Sequence, residues 1–468
     1  TLGPLVTAMS AEASDMSSWL LMGLPGVAYL SGTADAAWTA IGLAIGTYVN
    51  WLVVAKRLRN YTHVCGNSTT LPLFFSNRYR DNKRILSVIA ALLIIIFFVP
   101  YTASGFAACG KLFANLFGMD YLPAMLISAI VIVAYTTLGG FLAASTTDFV
   151  QSIVMTIAIV VVFGFGISKV GSFSAVMDNA KSMAGYFSLT HTHDVATGTA
   201  SPYSLLQIFS TLAWGLGYFG MPHVLLRFMA IGDANKLKLS RRVATVWVVI
   251  SMAVSVFIGV IGNAMTKASV LPTLKDPETI ILVVSDLISK HGVLATIIAG
   301  LILAGILAAT MSTADSQLLA ASSSASQNIL KEVFMKDMSE KTGMLIARIT
   351  VLVIALIGVF IARNPDSSVF QIVSFAWAGF GASFGPLVLL ALFWKRSTFQ
   401  GALCGMVSGG VMVFVWKFLI RPMGGALGIY ELLPAFLLGL AVNVIVSLLT
   451  PAPSREVQDE FDKVASMK

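Results

Sequence analysis

Two stretches of this chain put oxygen-bearing groups where a membrane protein otherwise carries hydrocarbon. The first is Ala11-Glu12-Ala13-Ser14-Asp15-Met16-Ser17-Ser18-Trp19, a small and polar interruption of an apolar segment. The second is Ala308-Ala309-Thr310-Met311-Ser312-Thr313-Ala314-Asp315-Ser316. A carboxylate near the bilayer midplane costs roughly 2.5–3.5 kcal/mol on insertion scales, so Asp15 has to face a cavity, a partner or a cation. The small residues around it let a helix unwind and expose carbonyls. Ser312, Thr313 and Ser316 set hydroxyls along neighbouring faces of one helix. A single membrane Ser or Thr more often bonds its own backbone, so the weight rests on the cluster. Carbonyls and hydroxyls together suit a hard cation such as sodium, and the chemistry indicated is ion-coupled transport.

The elements that must position these groups are membrane helices. The chain has 468 residues, 57% hydrophobic and 11% charged, against about 25% charged in soluble domains. The fold class expected is therefore all-α and polytopic, a single transmembrane domain over 1–468. About twelve spans are counted, near 4–29, 35–55, 85–115, 121–141, 146–168, 203–229, 242–265, 293–326, 344–362, 367–394, 398–420 and 428–450. A short polar tail follows at 451–468. The net charge of +8 does not indicate nucleic acid, because the basic residues sit in short loops on one side. Those loops hold Lys56 to Arg84, Arg227 to Arg242, Lys331 to Arg348, and Lys395 with Arg396; that side reads as cytoplasmic, with the C-terminus inside. His63, His191, His193, His223 and His291 are scattered, which argues against an enzyme. The His191-Thr192-His193-Asp194 run reads as a solvated loop rather than a metal site. Cys65, Cys109 and Cys404 follow no metal spacing. The chain opens at Thr1 without a leader pattern, and a further helix is expected ahead of it.

Two spans are interrupted. The first breaks at Ala13–Ser17, and the sixth at Trp214-Gly215-Leu216-Gly217-Tyr218-Phe219-Gly220-Met221-Pro222. An offset of five spans makes the two broken helices antiparallel, the arrangement of five-helix inverted repeats. The repeats are expected at about 1–168 and 201–394, with 398–450 supplying two peripheral helices.

Several stretches together resemble the sodium/solute symporters. They are Ala13-Ser14-Asp15-Met16-Ser17, Trp214 to Gly220, Pro222-His223, Met311-Ser312-Thr313, Gly139-Gly140-Phe141-Leu142-Ala143 and Thr147-Asp148-Phe149-Val150-Gln151. Leu20 to Gly26, Arg227-Phe228-Met229-Ala230 and Ala376 to Gly381 extend the likeness over essentially the whole chain. The resemblance implies the leucine-transporter fold, a 5+5 inverted repeat with extra helices. It implies sodium-coupled uptake of an amino acid, L-proline foremost, in a bacterial cytoplasmic membrane. The alternatives are another small organic solute or a transporter-like sensor. By the same resemblance, sodium would be held by the carbonyls of Ala13, Met16 and Ala309 and the hydroxyls of Ser312 and Thr313, with Asp15 adjacent. The substrate pocket would lie between the first, third, sixth and tenth spans, lined by Ser17, Trp19, Tyr101, Trp214, Tyr218 and Pro222. Aromatic faces suit an apolar ring and its ammonium, and half-helix N-termini suit a carboxylate.

Three residues depart from the family pattern. Glu12 stands where a small residue is usual, Met221 where Gln precedes Pro-His, and Asp315 where Ser is usual. Glu12 is expected to point to cytoplasmic water. Asp148, Ser312, Asp315 and Ser316 are expected to make a second cation or proton site, or else a structural acidic network.

Overall fold

The computed structural model describes residues 3–138 and 141–467, so Gly139 and Gly140 of the quoted motif lie outside the described residues. The first span is two helices, α1 (Pro4–Asp15) and α2 (Leu24–Ser31), separated by the break and a π turn at Trp19–Gly23. Helices α3 (Thr33–Val49) and α4 (Ala55–Val64) continue one another through a second π turn. The short α5 (Leu71–Arg78) leads to α6 (Ile85–Phe117), α7 (Tyr121–Leu138) and α8 (Phe141–Val170). Next come α9 (Phe173–Ser182) and a two-stranded antiparallel hairpin, β1 (His191–Asp194) with β2 (Thr199–Pro202). The sixth span divides into α10 (Leu205–Leu212), a 3-10 stretch at Ala213–Gly220 and α11 (Pro222–Ala230). The chain continues through α12 (Leu237–Lys267), α13 (Ile280–Ser289), α14 (Val293–Ser323) and α15 (Glu340–Ala362). It ends with α16 (Val369–Phe393), α17 (Phe399–Val415), α18 (Leu432–Leu449) and α19 (Arg455–Ser466).

Ten helices among the described residues are long and apolar enough to cross a membrane. The sequence count of twelve differs by the two broken spans, whose pieces are each too short to count as one crossing helix. Two further expectations are corrected. The His191–Asp194 loop is a strand, its register set by the pairing of His191 with Pro202. The polar tail is amphipathic: Val457, Phe461 and Val464 recur at helical spacing and are buried against the chain. Arg80 bonds Glu460 at 2.7 Å, and Lys395 bonds Asp462 at 2.6 Å, which holds α19 in place.

Close backbone approach fixes the broken sixth span. A Cβ on Gly46 of α3 would stand 2.5 Å from the Gly215 Cα, so only glycine lets these two backbones meet. On the opposite flank α16 packs along the 3-10 stretch, and its Trp377 Nε1 donates to the Trp214 carbonyl at 2.7 Å.

Helix α16 is held by charge at both ends. At its N-terminus the Glu278 carboxylate accepts the backbone N–H groups of Val369 (2.9 Å) and Phe370 (3.1 Å) and the Ser368 hydroxyl (2.8 Å). At its C-terminus Arg78 Nε donates to the Ala391 carbonyl (2.9 Å) and Arg57 Nε to that of Leu392 (2.8 Å). An anion at the start and cations at the end both oppose the helix dipole. Glu278 is itself paired with Lys111 of α6 at 3.0 Å, and Lys111 also reaches Asp276 at 2.7 Å. Lys111→Met would leave Glu278 buried without its cation, a loss of about 3–5 kcal/mol. The expected result is a clearly lowered melting temperature of the purified protein in detergent, partly restored by adding Glu278→Gln. An unchanged melting temperature would contradict this account of the clamp.

Candidate functional site

The first break is made by one residue. Helix α1 stops at Asp15, and Met16 (φ −76°, ψ 79°) turns the chain so that the Ser17 N–H donates to the Asp15 carbonyl at 2.9 Å. This is an inverse γ-turn. It leaves the Asp15 carbonyl pointing into the protein, where it also accepts Trp19 Nε1 (3.2 Å) and the Tyr101 hydroxyl (3.1 Å). One backbone oxygen therefore sets the orientation of two of the aromatic residues singled out from the sequence.

The oxygen cluster lies on the α14 side of the same helix end. Ser312 Oγ stands 2.9 Å from the Ala13 carbonyl and 3.0 Å from that of Ala309, and Thr313 Oγ1 is 3.5 Å from the Ala13 carbonyl. All four residues are buried. The donor set is oxygen throughout and carries no charge, which suits a monovalent hard cation entering between a frayed helix and a facing one. Met16 lies at the turn itself, and its N–H is taken by the Glu12 carbonyl at 2.7 Å.

The aromatic residues form a layer. The rings of Trp19 and Trp214 are 6.1 Å apart, and Tyr218 meets Trp377 edge-on at 5.0 Å. Trp214 also stacks on Tyr430 at 5.1 Å and contacts Phe370 at 5.4 Å. Ser17 is buried beside Trp19, whose N–H approaches Ser17 Oγ at 3.5 Å. Pro222 lies apart from these: it begins α11 and lines a cavity of about 1020 Å³ on the side of the basic loops, reaching inward to Arg227 and Ser316. A second cavity of about 980 Å³ enters from the opposite side and reaches Trp214, Phe370 and Ser374. Trp19, Tyr101, Tyr218 and Trp377 are buried in the protein's interior. Phe370 and Tyr430 are not among the residues the sequence singles out, and Trp377 enters there only within the Ala376 to Gly381 motif, not as a pocket residue; Phe370 and Trp377 in apolar α16 and Tyr430 in the loop before α18 look like ordinary packing residues. Met221 is buried at the N-cap of α11.

The expected second cation position already contains a cation. Arg227 Nη2 donates to Asp148 Oδ2 (3.2 Å) and Ser316 Oγ (2.7 Å), and Nε to Ser10 Oγ (3.2 Å). Ser10 in turn donates to Asp148 at 3.0 Å, and Ser316 to Asp315 at 3.2 Å. The sequence places Arg227 at the start of a basic loop; the structure instead buries it, 1% exposed, inside α11. Its apolar neighbours Val224, Leu225, Leu226 and Phe228 were the available signal. Glu12 is also corrected: it is 1% exposed and accepts Trp51 Nε1 at 2.9 Å instead of reaching water. Outside the spans, burial pushes the Cys65 thiol up to about 12, too high for thiolate chemistry at neutral pH.

A profile of the sodium:solute symporter family matches residues 1–409. A relative named sodium/proline symporter, from Staphylococcus aureus strain USA300 / TCH1516, is 40% identical over 470 aligned positions, covering 99% of this chain and 88% of the relative. Among solved structures, a substrate-bound, outward-open Na+-coupled sialic acid symporter superposes with a TM-score of 0.77 at 18% identity, over 97% of this chain and 91% of that one. A nucleobase–cation symport family transporter in a closed conformation gives 0.52 at 13% identity, over 99% and 96%. These two likenesses establish the shared fold.

The Arg227 network ties α1, α8, α11 and α14 together, so its loss is felt in stability before function. Arg227→Met would leave Asp148 and Asp315 buried without their base, at about 3–5 kcal/mol. A strongly reduced melting temperature is expected for Arg227→Met, and an intermediate one for Arg227→Lys, which keeps the charge but loses the fork geometry. Equal melting temperatures for the two variants would refute the charge argument.

Proposed function

The chain belongs to the sodium:solute symporter family, and from that premise we propose that the solute it carries with sodium is L-proline. The activity is sodium-coupled symport across a membrane and involves no catalysis. The reading is carried by one observation: the hydroxyls of Ser312 and Thr313 converge with the Ala309 carbonyl on the carbonyl of Ala13, at the point where α1 breaks.

On this reading sodium sits among Ala13, Met16, Ala309, Ser312 and Thr313 and draws α1 and α14 together. That fixes the turn at Met16, and with it the Asp15 carbonyl that orients Trp19 and Tyr101. Ion binding thus organises the solute pocket, and by linkage the solute strengthens ion binding by the same factor. Proline's ring would lie against Trp19, Trp214, Tyr101 and Tyr218, its ammonium over a ring face, with Ser17 offering a donor to its carboxylate, while Pro222, on the cavity at the basic-loop side, lies outside this pocket. The 40% identity to a sodium/proline symporter and this aromatic layer support proline over a bulkier solute. Inward movement of one sodium charge gains roughly 2.3 kcal/mol per 100 mV of membrane potential.

The two broken spans support a division into inverted repeats at about 1–168 and 201–394, with α17 and α18 peripheral. The basic loops support a bacterial cytoplasmic membrane, with α19 on the cytoplasmic side.

Counterflow of labelled proline in proteoliposomes tests the reading. Uptake should require sodium and be competed by unlabelled proline more strongly than by pantothenate or other amino acids; sodium-independent flux would reject it. Ser312→Ala and Thr313→Ala should each raise the half-saturating sodium concentration about tenfold, equivalent to about 1.4 kcal/mol for one lost ligand.

A further inference from the structure

Helix α12 begins with charges of one sign. Lys238 and Arg242, at i, i+4, share an exposed face of its first two turns, and the first turn holds no acidic residue. Among the described residues neither side chain has an ion pair or a hydrogen bond. Arg241, between them, turns instead to the Tyr48 ring of α3, 5.5 Å from its centroid. The nearest acid in sequence, Asp233, caps the preceding 3-10 turn by accepting the Asn235 N–H at 2.9 Å. Like charges four residues apart repel, and cations at a helix N-terminus also meet the positive end of its dipole. Helix α16 is built the opposite way, with an anion at its start and cations at its end. The start of α12 therefore lacks an anion that the chain itself does not supply.

From Arg242 the same helix runs along a groove of about 460 Å³. Val246, Trp247 and Ile250 of α12 line it with Ile159 and Val160 of α8 and Met9 of α1. Trp247 Nε1 donates to Thr156 Oγ1 at 2.8 Å, so the one polar atom of that ring is already satisfied and its carbon face is left to the groove. Val160, Val246 and Ile250 are exposed on two membrane-crossing helices, so the groove opens toward lipid. Between Arg242 and Ser251, its limits on α12, the helix rises about 14 Å at 1.5 Å per residue. One leaflet of a hydrocarbon core about 30 Å thick has a similar depth.

We propose that this groove binds one anionic phospholipid, its phosphate at Lys238 and Arg242 and an acyl chain along Val246, Trp247 and Ile250. A free phosphate would answer the two cations and leave the apolar groove unfilled. A zwitterionic lipid would fill the groove and bring its own cation to the basic end. An anionic lipid meets both demands at once, and unpaired basic residues where a span leaves the membrane are the usual partners of such headgroups. Met9 adjoins Ser10, which Arg227 Nε holds at 3.2 Å, so the bound chain would bear on α1 beside the Arg227 network. The proposal rests on the membrane placement of α8 and α12 and on no ligand proposed for sodium or proline.

Native mass spectrometry of the detergent-purified protein, titrated with phosphatidylglycerol or with phosphatidylcholine of the same chain length, tests it. One phosphatidylglycerol should be held, at least tenfold more tightly than phosphatidylcholine. Lys238→Gln combined with Arg242→Gln should abolish that preference, and Val246→Trp, which fills the groove, should weaken phosphatidylglycerol binding at least fivefold. Size-exclusion and melting controls establish that the variants are folded, and Ile250→Trp replaces Val246→Trp if that variant is not. Equal retention of the two lipids by the unaltered protein, or a preference that the charge variant keeps, overturns the proposal. Displacement of phosphatidylglycerol by inorganic phosphate also overturns it and marks an anion site without a lipid. A dimer that Val246→Trp dissociates overturns it as well and assigns the groove to a second copy of the chain.

Discussion

A charge taken into the membrane interior has to be neutralised by something the protein supplies or the cell provides, and this requirement organises the structure. Arg227 answers Asp148 directly and reaches Asp315 through Ser316, and from inside α11 it joins four helices in doing so. Lys111 answers Glu278, which frees Glu278's carboxylate oxygens to cap α16. Arg57 and Arg78 serve the other end of that helix. Bare hydrophobic packing would not fix these helices in register, because lipid is as apolar as the helix faces. The ionic and hydrogen-bonded ties supply the directionality.

The second constraint is steric, and it works with the first. The 3-10 stretch at Ala213–Gly220 can run between α3 and α16 because Gly46 and Gly215 remove the side chains that would separate them. That approach brings Tyr218 beside Asp15 and places Trp214 over Trp19. An unwound backbone in lipid would leave polar groups unpaired, so it survives where neighbouring helices cover it. Trp377 does part of this covering by bonding the Trp214 carbonyl.

Much of this was legible in the sequence, and what was not has identifiable causes. Hydropathy located ten helices because their apolar runs exceed any soluble alternative, and Gly, Pro and Ser marked both breaks. The family resemblance names Ala13, Met16, Ala309, Ser312 and Thr313 as a set, and the structure brings the Ser312 and Thr313 hydroxyls to the carbonyls of Ala13 and Ala309, with Met16 at the adjoining turn. Arg227 was misplaced because a basic residue near a span's end usually sits in a loop, and only burial distinguishes a tie from a topology signal. Glu12 was sent to water for a similar reason: its Trp51 partner is 39 residues away, beyond any local pattern. The aromatic layer drew Phe370 and Trp377 from α16 and Tyr430 from the loop before α18, where composition says only that they are buried or packed.

A helix that ends at Asp15 presents the Ala13 carbonyl to α14, so the proposed sodium position lies next to the turn at Met16. The Asp15 carbonyl that results from this turn holds Trp19 and Tyr101. Displacing it by even a fraction of an ångström changes the geometry of both rings, because each is tied to it by a single hydrogen bond. The cavity on the basic-loop side reaches Arg227 and Ser316, one helical turn below Ser312, and the opposite cavity reaches Trp214. The unwound turn therefore lies between two water-accessible routes, with ion ligands beneath it and aromatic rings above. On the proposed reading, sodium bound beside this turn would act on the Asp15 carbonyl, and through its two hydrogen bonds on the rings that stand between the two cavities.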